Sequence, residues 1–561
     1  MGGPLSDLNS KFSRFSSLDR RNFLRTAGGA AVAASTTSAL GTITSAQAQA
    51  SSTTLTVASP QTPQSLDSEF DISLGSIDAT GVLQENLIEY AKIPDKKISS
   101  ILREDTDIHT DKPGGVSAVG KLATEWEMDP GGRWARFKLR EGIKSNWGNE
   151  LTAEDVVWSW HRKFAMNGVG LFYLSTLSLT RPDMITAEDK YTVKFSLDNP
   201  NPILVRIMPN LFCHVFDSKK LKEVGGESDP WAKEFLRSNT ASFGPYEIER
   251  LDRGSQAIFK ARKDYYRGKP YFDRVIYKEV PTSAARVSLL RGGAVDVAQF
   301  LQPLEVKQLS GVPNISVDTL DATSMLWIEL NAKVEPFNKV AVRRAMNMAF
   351  PQKQIIQSVF QGLGAPLNGA MPWFYPTFTD KFWQYTYDVE QAKSLLKEAG
   401  LPNGFKTSLL YNAGDPVHEP IAILYQSALR QIGVQLELKK IPAGTFYNAV
   451  SERKSPMIFY QDNPWTPDPG YALMLYFLSS SFIDYSNYEN SEVDKLLKEI
   501  ARSADESARA EMSKRAQEII MSEAPWVFIA YPNFHWARKS NIQGFTYYTS
   551  NNIRFQDLRR S

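Results

Sequence analysis

The sequence predicts an α/β protein divided into at least two lobes, and three observations carry that prediction. Between Phe405 and Lys439 the strand-like run "FKTSLLY" is followed by Ile421, Leu424, Tyr425, Ala428 and Ile432 at helical spacing, then by the strictly alternating "VQLEL". The order is strand, helix, strand. The chain has 561 residues, and the roughly 510 that follow its leader exceed the size at which one hydrophobic core stops growing. A hydrophobic content of 42% with 11% aromatics suits a packed soluble protein, and no segment after the leader holds an apolar run long enough to cross a membrane.

The first 48 residues read as an export leader outside the fold. Arg20 and Arg21 precede a weakly apolar stretch from Thr26 to Ile43, and Ala46-Gln47-Ala48 has the small-residue pattern of a cleavage site. Gly28, Gly29, Ser35, Thr36, Thr37 and Gly41 dilute that stretch too far for an anchor. Asp19-Arg20-Arg21-Asn22-Phe23-Leu24-Arg25 resembles the twin-arginine signal, which carries folded proteins across a bacterial membrane. Arg20, Arg21, Phe23 and Leu24 are therefore the expected export residues, and the twin-arginine translocase is the expected partner. The formal charge is +2, and the leader's Lys11, Arg14, Arg20, Arg21 and Arg25 outweigh its Asp7 and Asp19. The rest of the chain is close to neutral, which gives no electrostatic reason to expect nucleic acid or an anionic membrane as partner. Cys213 is the only cysteine, so no intramolecular disulfide can form, and the apolar "PNLFCHVF" around it marks a buried structural thiol.

After the leader, Leu55 and Val57 begin a strand that breaks at Pro60 and Pro63. Residues 91–120 are polar and turn-rich, which predicts an excursion on the surface. Asp129-Pro130-Gly131-Gly132 joins two alternating runs as a hairpin, and Thr152 with Asp155 caps a helix through Trp160. In Phe243-Gly244-Pro245-Tyr246 a turn sets the strand "YEIERL" in place, with Gly244 free to take a positive φ. Pro336 precedes a helix whose Arg343 and Arg344 are expected at the surface or between lobes. Asp388 caps a helix whose Val389, Ala392, Leu395, Leu396 and Ala399 form one face. Val493, Leu496, Leu497 and Ile500 start a last amphipathic stretch, continued by Met512, Ala516, Ile519 and Ile520 up to Pro525.

The chain has no G-x-S-x-G elbow, no phosphate-cradling glycine loop and no H-E-x-x-H, and Pro420 interrupts the one His-Glu pair. Histidines 109, 161, 214, 418 and 535 form no metal-ligand spacing. Neither a cofactor nor a metal is expected. Binding is the function that remains.

Four stretches occur in order: "LATEWEMDPGGRWARFKLREGIKSNWGNELTAEDVVWS", "SFGPYEIERLDRGSQAIFKARKDYYRGKPYFDRVIYKEVPTSAARVSLLRGGAVDV", "LNAKVEPFNKVAVRRAMNMAF" and "VDKLLKEIARSADESARAEMSKRAQEIIMSEAPWVFIA". Together they resemble the family 5 extracellular solute-binding proteins, the peptide, opine and nickel receptors of ABC importers. The resemblance implies a two-lobed periplasmic binding protein fold with a hinge. Residues 49–320 would form the first lobe, including an inserted subdomain near 91–235. Residues 321–515 would form the second, and 516–561 would return to the first. It also implies a periplasmic monomer that swallows a ligand between its lobes and docks on permease subunits in the inner membrane.

The ligand stretch implied by the resemblance is "MIFYQDNPWTPDPGYALMLYF". In peptide-binding members an aspartate in this loop receives the ligand's α-ammonium, and Asp462 matches it best. Phe459, Tyr460 and Trp465 are expected as apolar walls. Asp468, between Pro467 and Pro469, reads first as a turn residue and is a further candidate contact. No arginine can be placed to dock a peptide's carboxylate, so an opine or an oligosaccharide stays open as ligand. Scarce histidines argue against nickel. The alternative of another class is an exported hydrolase.

Overall fold

The computed structural model describes residues 53–561; the leader and its Arg20, Arg21, Phe23 and Leu24 lie outside the described residues. Two large sheets organise the rest. The first has seven strands, in the order Tyr246–Asp252, Gln256–Ala261, Arg274–Glu279, Thr54–Ser59, Val297–Ala298, Phe534–Lys539 and Ile315–Leu320. The second has six: Gly364–Pro366, Trp526–Pro532, Met325–Leu330, Met457–Asp462, Lys406–Asn412 and Gln435–Ile441.

Local sequence signals account for much of this. Strands Lys406–Asn412 and Gln435–Ile441 run parallel and adjacent, joined by the helix His418–Arg430, the kind of crossover that a parallel pair requires. The helix buries Ile421, Tyr425, Ala428 and Leu429 against the sheet. The hairpin forms at Gly132, whose φ of +72° suits glycine. The backbone amide of Thr152 donates to Asp155 at 2.8 Å, closing the cap of the helix Ala153–Met166. That helix lies on a four-stranded antiparallel sheet, Ala123–Met128, Trp134–Leu139, Thr192–Ser196 and Ile185–Asp189, with Trp160 edge-on to Phe195 at 5.1 Å.

Four expectations change. Residues 91–120 are not a loose excursion: Lys92–Pro94 and Leu102–Glu104 pair with each other, and Leu102–Glu104 runs parallel to Thr546–Tyr547 near the C-terminus. Glu104 and Asp105 are buried there. Gly244 is needed for close approach and not for a positive φ, since a Cβ there would sit 2.3 Å from the Leu83 carbonyl oxygen. Arg343 and Arg344 donate to the carbonyls of Glu523 and Ser522, where cations complement the C-terminal end of the helix Glu506–Glu523. Finally, the return to the first sheet starts later than residue 516. The helix Glu506–Glu523 and the strand Trp526–Pro532 stay with the second sheet, held by Trp526 stacked on Trp327 at 4.1 Å.

The chain therefore crosses between the sheets at 321–324 and at Asn533. The two crossings are tied: the Asn533 side-chain amide donates to the Leu320 carbonyl at 3.1 Å and to Asp321 at 3.2 Å.

Candidate functional site

Alternation along Met457–Asp462 sorts the predicted residues onto two faces. Met457 and Phe459 point into the core beneath the helix His418–Arg430, where Phe459 is fully buried and stacks on the His418 ring at 4.1 Å. Phe459 is thus a packing residue of the second lobe and not a wall of the cleft. Ile458 and Tyr460 face the other way. Tyr460 is 4% exposed and packs edge-on to Trp327 at 5.5 Å and Tyr485 at 5.2 Å.

Asp462 ends this strand, paired with Met325 beside the first crossing. Its Oδ1 accepts the Asn463 amide at 2.8 Å, and the Tyr476 hydroxyl faces the carboxylate. Among the described residues no lysine or arginine forms an ion pair with it. Burial pushes its carboxyl up to about 7, against the Asn463 amide and the nearby Tyr476 hydroxyl, which favour the charged form.

Trp465 reaches the seam between lobes. It is half-buried and stacks on Phe212 at 4.9 Å. Alongside, Phe172 meets Tyr471 at 5.7 Å and Phe482 at 5.2 Å. Polar contacts follow the same line. The Asn463 side chain donates to the Thr549 carbonyl at 2.9 Å, and the Thr549 hydroxyl and amide both donate to Glu104 at 2.8 Å.

Asp468 has a different office. It caps the helix Pro469–Phe477 through the Tyr471 amide at 2.9 Å, and its other oxygen accepts from both Arg206 and Arg509. Arg206 also meets Glu506 at 2.7 Å. Burial would raise this carboxyl, but Arg509 and Arg206 outweigh it and hold it below the usual carboxylate range. With one oxygen capping the helix and the other held by two guanidinium groups, Asp468 is fully buried in an ionic cluster with Arg206, Arg509 and Glu506 and serves the packing of the fold.

Sequence reasoning missed Tyr471, Tyr476, Phe172 and Phe212. Tyr471 and Tyr476 sit on the helix Pro469–Phe477 inside the quoted loop stretch without being singled out by it, whereas Phe172 and Phe212 lie far away along the chain and only the fold brings them to Tyr471 and Trp465. Elsewhere Cys213 is fully buried, with its thiol pushed up to about 12 by burial. Among the described residues no group of three or more His, Cys, Asp or Glu side chains is placed to hold a metal ion, and no helix is long and apolar enough to cross a membrane.

Residues 117–484 match the model of the bacterial extracellular solute-binding proteins, family 5. The chain belongs to this family. Among family 5 relatives, it is 27% identical over 494 residues to the probable D,D-dipeptide-binding periplasmic protein of Escherichia coli K12, covering 86% of this chain and 90% of the relative. It superposes on the dipeptide-binding protein of Pseudoalteromonas sp. SM9913 in complex with Met-Leu with a TM-score of 0.79, at 22% identity over 91% of this chain and 100% of the other. A binding protein from Agrobacterium tumefaciens R10 in complex with agropinic acid gives a TM-score of 0.77, at 22% identity over 91% and 99%. These likenesses establish the two-lobed fold. As a family 5 member the chain is a solute-binding protein, and Asp462 and Trp465 lie on the seam where its lobes meet.

Proposed function

We propose that this protein is the periplasmic receptor of an ABC importer, exported by its twin-arginine signal, and that it captures peptides or similar amine-bearing solutes for permease subunits in the inner membrane. One observation carries the reading: Asp462 holds a desolvated carboxyl on the seam, and among the described residues no cationic side chain is paired to it. A buried carboxylate normally takes a charged partner, as Asp468 does. A ligand ammonium would supply the missing one. Closing the lobes excludes water and strengthens that pair, while Tyr476, Tyr471 and Trp465 accept varied apolar groups. The names of the E. coli relative and of the Met-Leu complex support a peptide. The agropinic acid complex favours an opine as second reading. The receptor acts as a monomer and returns its solute unchanged.

A thermal-shift screen of dipeptides, opines and oligosaccharides tests this. Stabilisation by amine-bearing solutes is expected. Stabilisation by oligosaccharides alone, or recovery of a chemically altered solute, would end the reading.

A further inference from the structure

Resting on the reading that the lobes close over a solute, we propose that Arg206 is the latch of the closed state. It carries a positive charge from the first lobe into a buried, negatively charged socket of the second, and so sets how readily the lobes part and how long a solute stays enclosed.

The segment that bears Arg206 is tied to the first lobe through its backbone. The Leu66 amide donates to the Arg237 carbonyl at 3.2 Å, the Val169 amide to the Glu69 carbonyl at 3.1 Å and the Val215 amide to the Glu85 carbonyl at 2.9 Å. Strand Leu102–Glu104 adds its pairing with Thr546–Tyr547. Among the described residues no strand or backbone hydrogen bond joins residues 86–243 to the second sheet or its helices; they meet through side chains, as Phe172 meets Tyr471 and Phe212 meets Trp465. Arg206 itself is fixed at both ends on its own side. Its carbonyl accepts the Tyr90 hydroxyl at 2.7 Å, and its Nε donates to the Gly114 carbonyl at 2.9 Å.

The other edge of the guanidinium crosses the seam. Nη1 donates to Asp468, and Nη2 donates to Glu506 at 2.7 Å. Arg509 donates to the same Asp468 oxygen and to the Ile500 carbonyl at 2.5 Å, with its Nε 3.4 Å from Glu506. Arg206, Asp468 and Arg509 are all fully buried. On the second lobe two carboxylates thus share one guanidinium, which leaves a negative charge that only Arg206 matches. Removing Arg206 leaves that charge unpaired and dry in the closed state, where it is costly, whereas in an open state water solvates it. The loss therefore favours opening. The latch is also joined to the proposed ligand anchor: Asp462 and Asp468 end one short loop, and Trp465 between them stacks on Phe212.

Small-angle X-ray scattering of the solute-free mature protein and stopped-flow release of Met-Leu test the latch. Arg206→Met should give a larger radius of gyration than wild type and release Met-Leu at least about tenfold faster. Adding Glu506→Gln to Arg206→Met leaves Asp468 matched by Arg509 alone, and this double variant should return most of the way to wild type in both measurements. A role in packing alone would leave the double variant as open as the single one. Glu506→Gln by itself leaves an excess positive charge in the closed cluster and should shift both readouts in the same direction by a smaller factor, so it carries the test if Arg206→Met does not fold. Unchanged scattering and release in both single variants overturns the latch, as does a double variant no more closed than Arg206→Met. Failure of wild type to bind Met-Leu overturns the peptide reading alone, and scattering then decides the latch.

Discussion

Asp462→Asn should weaken solute binding and, above neutral pH, stabilise the empty protein. Burial raises the Asp462 carboxyl from 3.8 to about 7, and at 1.36 kcal/mol per pKa unit this corresponds to about 4 kcal/mol by which ionising it in the fold exceeds ionising it in water. The sign follows from proton linkage. Between about pH 4 and 7 the unfolded chain gives up this proton while the folded chain keeps it, so stability falls as pH rises through that window. Asparagine does not titrate. At pH 8 the variant should unfold at a higher temperature than wild type, by less than the full 4 kcal/mol because a buried amide also carries a desolvation cost; below pH 4 the gain should vanish. Binding should move the other way. Wild-type affinity for an amine-bearing peptide should rise about tenfold per pH unit up to about pH 7, then fall above about pH 8 as the α-amino group deprotonates. Asp462→Asn should lose about 2 to 5 kcal/mol of binding and the acidic limb of that profile. Differential scanning fluorimetry and calorimetry from pH 4 to 9 read both limbs. A lower melting temperature for Asp462→Asn at pH 8, or wild-type affinity independent of pH between 5 and 7, would refute the reasoning.

Three further outcomes follow from the structure. Asp468→Asn leaves Arg206 and Arg509 facing a neutral group and should cost about 3 to 5 kcal/mol of stability, read by denaturant unfolding at pH 7; because the wild-type carboxyl is held low, the difference should shrink as pH falls through the carboxylate range. A double-mutant cycle on Trp465→Ala and Phe212→Ala should return a coupling of about 0.5 to 1.5 kcal/mol in the liganded protein, and zero coupling would mean the stack does not join the lobes. Arg20→Lys with Arg21→Lys should leave precursor in the cytoplasm by fractionation; unchanged export would remove the twin-arginine assignment.

What could be read from the sequence depended on how local the cause was. The parallel unit around His418–Arg430, the Asp129–Gly132 hairpin and the Thr152 cap each arise from residues within a few positions of one another, and the structure shows each where expected. Asp462 was visible only through its place in a resembling loop. Asp468 shows the limit: a carboxylate between two prolines reads as ligand contact or turn, while its real partners lie 262 and 41 residues away. Phe459 was misplaced because a fully apolar run, "MIFY", hides which face of a strand meets the neighbouring helix. The pairing of Leu102–Glu104 with Thr546–Tyr547 left no mark in a stretch rich in turn formers.

Native mass spectrometry of the mature protein purified from its host, wild type beside Asp462→Asn, tests the central claim most directly. Wild type should carry a bound solute that, once released with acid, gains mass from an amine-reactive reagent, and Asp462→Asn should arrive largely empty. A released solute without a reactive amine, or equal occupancy in the two proteins, would contradict the account.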